Sequence, residues 1–220
     1  MSRKKLVRFK ENELNPNVVQ AGKAIFEEIK GNWNEKQFKN PNPLVVELAC
    51  GRGEFTVGLA RVFPNQNFIG VDIKGSRIWK GSSTATAEGI ENVAFLRTQI
   101  QQLDQFFSEE EISELWITFP DPFPRDGDEK RRLTSPKFLD MYKSLVKRDG
   151  IIHFKTDNTG LFDYSLELVQ SREDIEILGF THDFYQSEWK DDHFGIQTRY
   201  EKMFSEKGEK IKYLKFHFRN

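Results

Sequence analysis

The chain of 220 residues has one cysteine, Cys50, and four histidines, His153, His182, His193 and His217. A lone thiol excludes an internal disulfide framework, and the histidines fall at no metal-ligand spacing, so no structural zinc is expected. No apolar run approaches the ~18 residues that span a bilayer. Nor does an apolar stretch follow the basic segment Met1 to Lys10, as it would in a secretory leader. No membrane attachment is expected, and the expected compartment is the cytoplasm. Net charge is scarce too: 33 Lys and Arg against 34 Asp and Glu leave −1. That balance excludes a protein that simply coats nucleic acid.

What charge there is comes in clusters. Arg3, Lys4, Lys5, Arg8 and Lys10 precede the first acid, Lys130-Arg131-Arg132 lies in the middle, and Lys207, Lys210, Lys212, Lys215 and Arg219 crowd the C-terminus. Brought together, these would make a local positive face for a polyanion on a neutral body; left apart, they are ordinary solvated side chains. The length suits one domain over residues 1–220 with a basic N-terminal arm at about 1–14.

Hydrophobic periodicity gives the architecture. Asn15-Pro16-Asn17 reads as a helix start, with Val18, Val19, Ile25, Phe26 and Ile29 on a partly amphipathic helix ending near Gly31. Strands are expected at Leu44 to Leu48, Phe68 to Val71, Val93 to Leu96, Leu115 to Phe119, Ile151 to Phe154, Ile175 to Phe180 and Ile211 to Phe218. Helices fall between them, and a short one is expected at Thr198 to Phe204. This alternation predicts an α/β fold: a doubly wound, mostly parallel, seven-stranded sheet, Rossmann-like, with an antiparallel C-terminal strand.

Two strand ends suggest a nucleoside-containing cofactor. In Glu47-Leu48-Ala49-Cys50-Gly51-Arg52-Gly53, Gly51 and Gly53 let the backbone turn tightly beside a ligand, and Asp72 ends the next strand, where a carboxylate can accept from both ribose hydroxyls. A dinucleotide fits poorly, because Thr56 stands where a third glycine belongs and Glu54 would repel a diphosphate. S-adenosylmethionine has no phosphate and carries cationic groups that Glu47 would attract. The bland reading is a plain βα turn with two ordinary strand-end acids. Cys50 has no basic neighbour in sequence to activate it and reads as a packed residue.

The segment Phe119-Pro120-Asp121-Pro122-Phe123-Pro124-Arg125 follows a buried strand. Its prolines should hold Phe119, Asp121 and Phe123 in extended geometry and make a stiff loop around one carboxylate. Asp121 is the expected catalytic centre; an exposed proline turn is the alternative.

These stretches, with Lys130-Arg131-Arg132-Leu133-Thr134, Phe154-Lys155-Thr156-Asp157-Asn158 and Thr198-Arg199-Tyr200-Glu201, resemble the bacterial tRNA (guanine-N7)-methyltransferases in the same order from Leu44 to Phe204. The glycine motif is common to class I methyltransferases; the proline loop with KRRLT, and KTDN, are more specific to the family. The resemblance implies methyl transfer from S-adenosylmethionine to N7 of a guanosine in the tRNA variable loop (position 46). It implies cofactor contacts from Glu47, Gly51, Gly53, Asp72, Gln99 and Asp121. It implies contacts to tRNA or its guanosine from Arg125, Asp157, Thr198, Arg199, Tyr200 and Glu201. Lys130, Arg131 and Arg132 would hold phosphates, or pair with Asp126, Asp128 and Glu129. Departures from the family pattern are Ala49 for a usual glycine, Gln99 for an acid, Phe123 for Trp, Arg125 for Lys, and the acidic segment 126–129. The partner implied is tRNA, with no metal, and a monomer or homodimer. Rival readings are a class I methyltransferase with another substrate and a non-catalytic RNA-binding module.

The chemistry needs little beyond position. Guanine N7 has an in-plane lone pair and no proton to lose, so no general base is required. Alignment of nucleophile, methyl and leaving sulfur lowers the barrier, and a fixed carboxylate stabilises the positive charge that grows on the purine. Asp121 and Asp157 are expected to share this task, their division left open; Asp157 can also be read as a helix cap. Tyr200, Phe123 and Trp189 can stack on an extruded base or belong to the core.

Overall fold

A computed structural model describes residues 3–219. They form one eight-stranded sheet: β1 (Val18–Gln20), β2 (Leu44–Leu48), β3 (Asn67–Val71), β4 (Val93–Arg97), β5 (Ile112–Thr118), β6 (Val146–Thr156), β7 (Ile175–Thr181) and β8 (Lys212–Phe218), in spatial order 1-4-3-2-5-6-8-7. The pairs from β1 across to β6 are parallel; β8 runs antiparallel to both β6 and β7. The doubly wound, mostly parallel fold is as expected, with an eighth strand added at the β1 edge.

That strand corrects the reading of Val18 and Val19 as helical. Val18 pairs with Phe95 and Val19 with Leu96 on β4. Val18 joins the core on one face of the sheet and Val19 the core on the other, which only the period of two of a strand allows. The helical share of that segment is α2 (Ala24–Glu28) alone. Preceding it, α1 (Arg3–Leu14) is a helix over most of the stretch read as an arm; residues 1 and 2 lie outside the described residues.

The central strands are buried on both sides, as parallel sheets require: every residue of β2 and β3 is buried. The helices α3 (Glu54–Val62), α4 (Gly75–Glu88), α5 (Pro136–Leu145), α6 (Thr159–Ser171) and α7 (Arg199–Glu206) cover the faces. From β2 the chain winds outward through β3 and β4, then returns to the other side of β2 with β5 and continues to β6. The order therefore reverses between β2 and β5. The strands stay paired through Leu48 and Ile117, and the connections leaving their carboxyl ends diverge there and leave a crevice, where ligands bind in such sheets.

Candidate active site

The loop leaving β2 turns by left-handed residues: Ala49 has φ 58°, Gly51 56° and Gly53 69°. Ala49 pays roughly 1 kcal/mol for its Cβ there. The two glycines serve different ends. A Cβ on Gly53 would sit 2.4 Å from the Phe95 ring, so this glycine serves helix-to-sheet packing; one on Gly51 would meet nothing nearer than the Ala49 carbonyl at 3.9 Å, so Gly51 faces open space.

Gly53 is the N-cap of α3 and has no side chain to offer the helix. Glu47 on β2 substitutes. Its Oε2 accepts from the Thr56 amide at 2.9 Å and from the Thr56 hydroxyl, and its Oε1 accepts from Thr118 Oγ1 at 2.5 Å. A carboxylate beside a helix N-terminus is favourable, yet burial prevails and pushes the Glu47 carboxyl up to about 7 against these bonds. Asp72, at the end of β3, accepts from the Gly51 amide at 3.0 Å and the Lys74 amide at 2.7 Å, tying the loops after β2 and β3 together. Burial raises its pKa as well. Cys50 is buried, which pushes its thiol up and leaves it a packed residue.

The proline loop departs from expectation. Phe119 (φ 48°) and Phe123 (φ 43°), each preceding a proline, are left-handed rather than extended. Such geometry in a bulky residue costs about 1–3 kcal/mol and persists only where the surroundings impose it. Here the Phe119 amide donates to the Lys155 carbonyl at 2.9 Å, and its ring packs on the core beneath α3. The Phe123 carbonyl accepts from Arg132 Nε at 3.1 Å, and its ring lies 4.2 Å under the Arg131 guanidinium. Tertiary contacts, with the prolines, thus hold the loop, and Asp121 stands exposed at its tip.

The third wall comes from the end of β6 and from α7. Asn158, not Asp157, caps α6, accepting from the Leu161 amide at 2.8 Å. The Asp157 carboxylate is thereby left for the cavity, half-buried and with its pKa raised by that burial, while its carbonyl accepts from Lys212 Nζ at 2.7 Å. Thr198 caps α7 by accepting from the Glu201 amide at 3.1 Å, and the Arg199 amide donates to Glu54 at 2.7 Å. Tyr200 is exposed.

These pieces enclose one cavity of about 700 Å³. Among the expected site residues it gathers Glu47, Gly51, Asp72, Gln99, Asp121, Arg131, Asp157, Thr198, Arg199 and Tyr200 in its lining. Gly53, Arg125, Lys130, Arg132 and Glu201 do not line it. Arg125 and Lys130 are exposed outside, Arg131 pairs with Asp128 at 3.0 Å, and Arg132 stacks 4.3 Å from the Tyr164 ring. Glu201 is set back from the cavity. It is fully buried, pairs with Lys155 Nζ at 2.6 Å and accepts from the Tyr185 hydroxyl at 2.7 Å, contacts that hold α7 in place. Trp189 packs over Gly179 of β7, away from the cavity, whereas Tyr200 and Phe123 line it.

Sequence reasoning missed Thr118, Lys155, Ile73 and Lys74. Thr118 and Lys155 are polar residues directly following the apolar stretches Leu115 to Ile117 and Ile151 to Phe154, His153 apart, and sit opposite one another in the β5–β6 register, a signal present in the sequence. Ile73 and Lys74, both in the lining, follow directly on Asp72. Among the described residues no three His, Cys, Asp or Glu side chains are grouped to hold a metal, and no helix is long and apolar enough to cross a membrane.

The donor set fits S-adenosylmethionine. Asp72 offers carboxylate oxygens, Gly51 leaves room for close approach, Ile73 adds an exposed apolar side chain (52%), and Glu47 supplies a charge opposite to a sulfonium.

A family model described as "Putative methyltransferase" matches residues 41–214. The chain is 49% identical to a tRNA (guanine-N(7)-)-methyltransferase of Cytophaga hutchinsonii, over 99% of each chain. It is 48% identical to that of Christiangramia forsetii, over 98% of each. Among solved structures it resembles the 16S rRNA methyltransferase KamB, with a TM-score of 0.65 at 15% identity over 90% of this chain and 94% of that one, a likeness of fold.

Proposed function

The chain belongs to the tRNA (guanine-N7)-methyltransferase family and methylates guanine N7 in tRNA; on that premise we propose the donor, the target and the residues that do the work. The donor is S-adenosylmethionine, which supplies a methyl group on a cationic sulfur. Asp72 holds the ribose hydroxyls, Gly51 admits the cofactor against the backbone, Gln99 accepts from the adenine amine through its amide oxygen, and Glu47 faces the cationic end. The target is a guanosine of the variable loop, and the compartment is the cytoplasm.

One observation carries this reading: the cofactor-type carboxylate Asp72 and the substrate-side carboxylates Asp121 and Asp157 line a single cavity at the switch point of the sheet. Asp121 and Asp157 bind the guanine through its N1–H and exocyclic amine. As transfer proceeds the purine becomes cationic, so fixed carboxylates beside it stabilise the transition state more than the ground state. Neither accepts a proton from N7, which has none. Tyr200 and Phe123 offer π-faces for a base drawn out of its stack. Arg131, at the rim, keeps a charge toward phosphate despite its pairing with Asp128, since an exposed pair of this kind is worth little.

Replacement of Asp121 by Ala tests the assignment. Turnover should fall by 100-fold or more, on the order seen when one preorganised electrostatic partner is removed, with cofactor affinity by calorimetry unchanged within about twofold. Wild-type turnover in Asp121→Ala would overturn the role.

A further inference from the structure

The three basic clusters of the sequence meet different fates. The C-terminal one is largely spent within the fold: Lys212 donates to the Asp157 carbonyl, Lys210 pairs with Asp183 at 3.1 Å and Lys215 with Asp192 at 3.1 Å. In the central one, Arg131 pairs with Asp128 and Arg132 stacks on Tyr164. The N-terminal cluster is carried by α1, which lies against the beginning of α4. The Arg8 guanidinium stands 4.7 Å above the Trp79 ring, and the Arg97 guanidinium 4.8 Å above the Phe9 ring. Phe9 fills the space where Gly75 lacks a Cβ, and Asn12 Nδ2 donates to the Gly75 carbonyl at 2.8 Å. These contacts use Arg8, Phe9 and Asn12. Lys4 and Lys5 remain exposed, Lys5 Nζ standing 5.8 Å from the Phe9 ring centroid, and no carboxylate is paired to either among the described residues.

The same contacts fix where those lysines point along the fold. After α1 the chain runs to Asn15 and Asn17, whose side chains bond Thr86 and Ser82 farther along α4. The residues before Phe9 therefore run the opposite way, past the start of α4. That start is at the cavity: Lys74, immediately preceding α4, is exposed and lines it, and Arg77 lines it from the first turn. Four to five residues of helix rise about 7 Å, so a helix continued in that direction carries Lys4 and Lys5 past Gly75, toward the end of α4 where Lys74 and Arg77 line the cavity.

We propose that Lys4 and Lys5 of α1, with Lys74, form a phosphate-binding ridge that docks the tRNA backbone beside the cavity mouth while the target base enters. The inference rests on the reading of the chain as a tRNA methyltransferase. A folded RNA is far wider than a 700 Å³ cavity and must be gripped outside it. Point charges on flexible stems suit phosphates of any sequence, and a chain of net charge −1 needs such a local positive face to hold a polyanion.

The test is steady-state kinetics of the full chain on tRNA at several salt concentrations, comparing wild type, Lys4→Glu/Lys5→Glu, Lys4→Arg/Lys5→Arg and Lys147→Glu. Lys147, near the start of β6, is exposed at the far end of that strand from the cavity: its neighbour Val146 lies opposite Ile112 and Lys155 opposite Thr118, a run along β5 of about 20 Å. The double Glu variant should raise the KM for tRNA about tenfold and make the slope of log affinity against log salt shallower by about 1.5, the release expected for two phosphate contacts. Its kcat and cofactor affinity should stay within twofold, which also reports an intact fold. The Arg variant and Lys147→Glu should match wild type. A wild-type KM and slope in the double Glu variant would overturn the ridge. An equal loss in Lys147→Glu would also overturn it, since the effect would then be one of overall charge. So would a double Glu variant that keeps its tRNA kinetics but loses binding to phosphatidylglycerol vesicles, because α1 would then be a membrane-facing element. Wild-type protein without guanine-N7 activity would overturn the functional reading itself, a result separate from all of these.

Discussion

At the scale of single residues, the proposed role of Glu47 joins cofactor binding to pH. Burial against the Thr56 and Thr118 bonds sets its carboxyl at about 7, above its ordinary 4.5. Between those values the folded chain binds a proton that the unfolded chain releases. Stability from Glu47 is therefore fully present below 4.5 and is lost as pH rises through about 7. A cationic cofactor reverses the preference by favouring the carboxylate. Affinity for S-adenosylmethionine should then tighten about tenfold between pH 6 and pH 8, with proton release on binding, and Glu47→Gln should remove the dependence. Calorimetry at the two pH values checks this; equal pH dependence in wild type and Glu47→Gln would exclude Glu47 as the titrating group. The place of Glu47 and Asp72 in the cavity lining was legible in the sequence because a carboxylate at or near the end of an apolar strand is costly to bury unless hydrogen-bond donors meet it there, as they do here. The burial of Glu201 was not legible for the complementary reason: its place in a motif says nothing of which way it faces, and its partner Lys155 lies 46 positions away.

At the scale of elements, the left-handed Phe119 and Phe123 and the placing of α7 show what lies beyond local sequence. Prolines restrict their neighbours, but the choice among permitted conformations fell to Lys155, Arg131 and Arg132, none of which is adjacent in the chain. The strand Val18–Gln20 escaped for a related reason, since three residues beside Asn and Pro carry too little periodicity to be told from a helix start. The longer buried runs, such as Leu44 to Leu48, were plain because both faces of a central parallel strand must be apolar. The pair Lys155–Glu201 fastens α7, with Thr198, Arg199 and Tyr200, to the end of β6. Lys155 also lies 4.7 Å from the Phe184 ring, and burial lowers its pKa against the pull of Glu201. Breaking such a pair from one side strands a buried charge and costs about 3–5 kcal/mol. Lys155→Met and Glu201→Gln should each lose about that much by urea denaturation, and the double variant less than the sum. Strictly additive losses would show that the two do not act as a pair.

At the scale of the whole molecule, the reversal of strand order between β2 and β5 brings together residues from Glu47 to Tyr200. Glu47 of β2 and Asp72 after β3 line the same cavity as Asp121 after β5 and Asp157 after β6. Sequence alone ordered the strands along the chain, and the crevice followed once their spatial order was known. On the proposed reading the molecule as a whole works by placement rather than proton transfer: a neutral body, a stiff loop around Asp121, and basic groups at the rim. The most direct measurement is to incubate unmodified tRNA with the protein and methyl-labelled S-adenosylmethionine, then map the label by nuclease digestion and mass spectrometry. The expected product is N7-methylguanosine at one position in the variable loop. Label on another base, on another atom of guanine, or none transferred at all would contradict it.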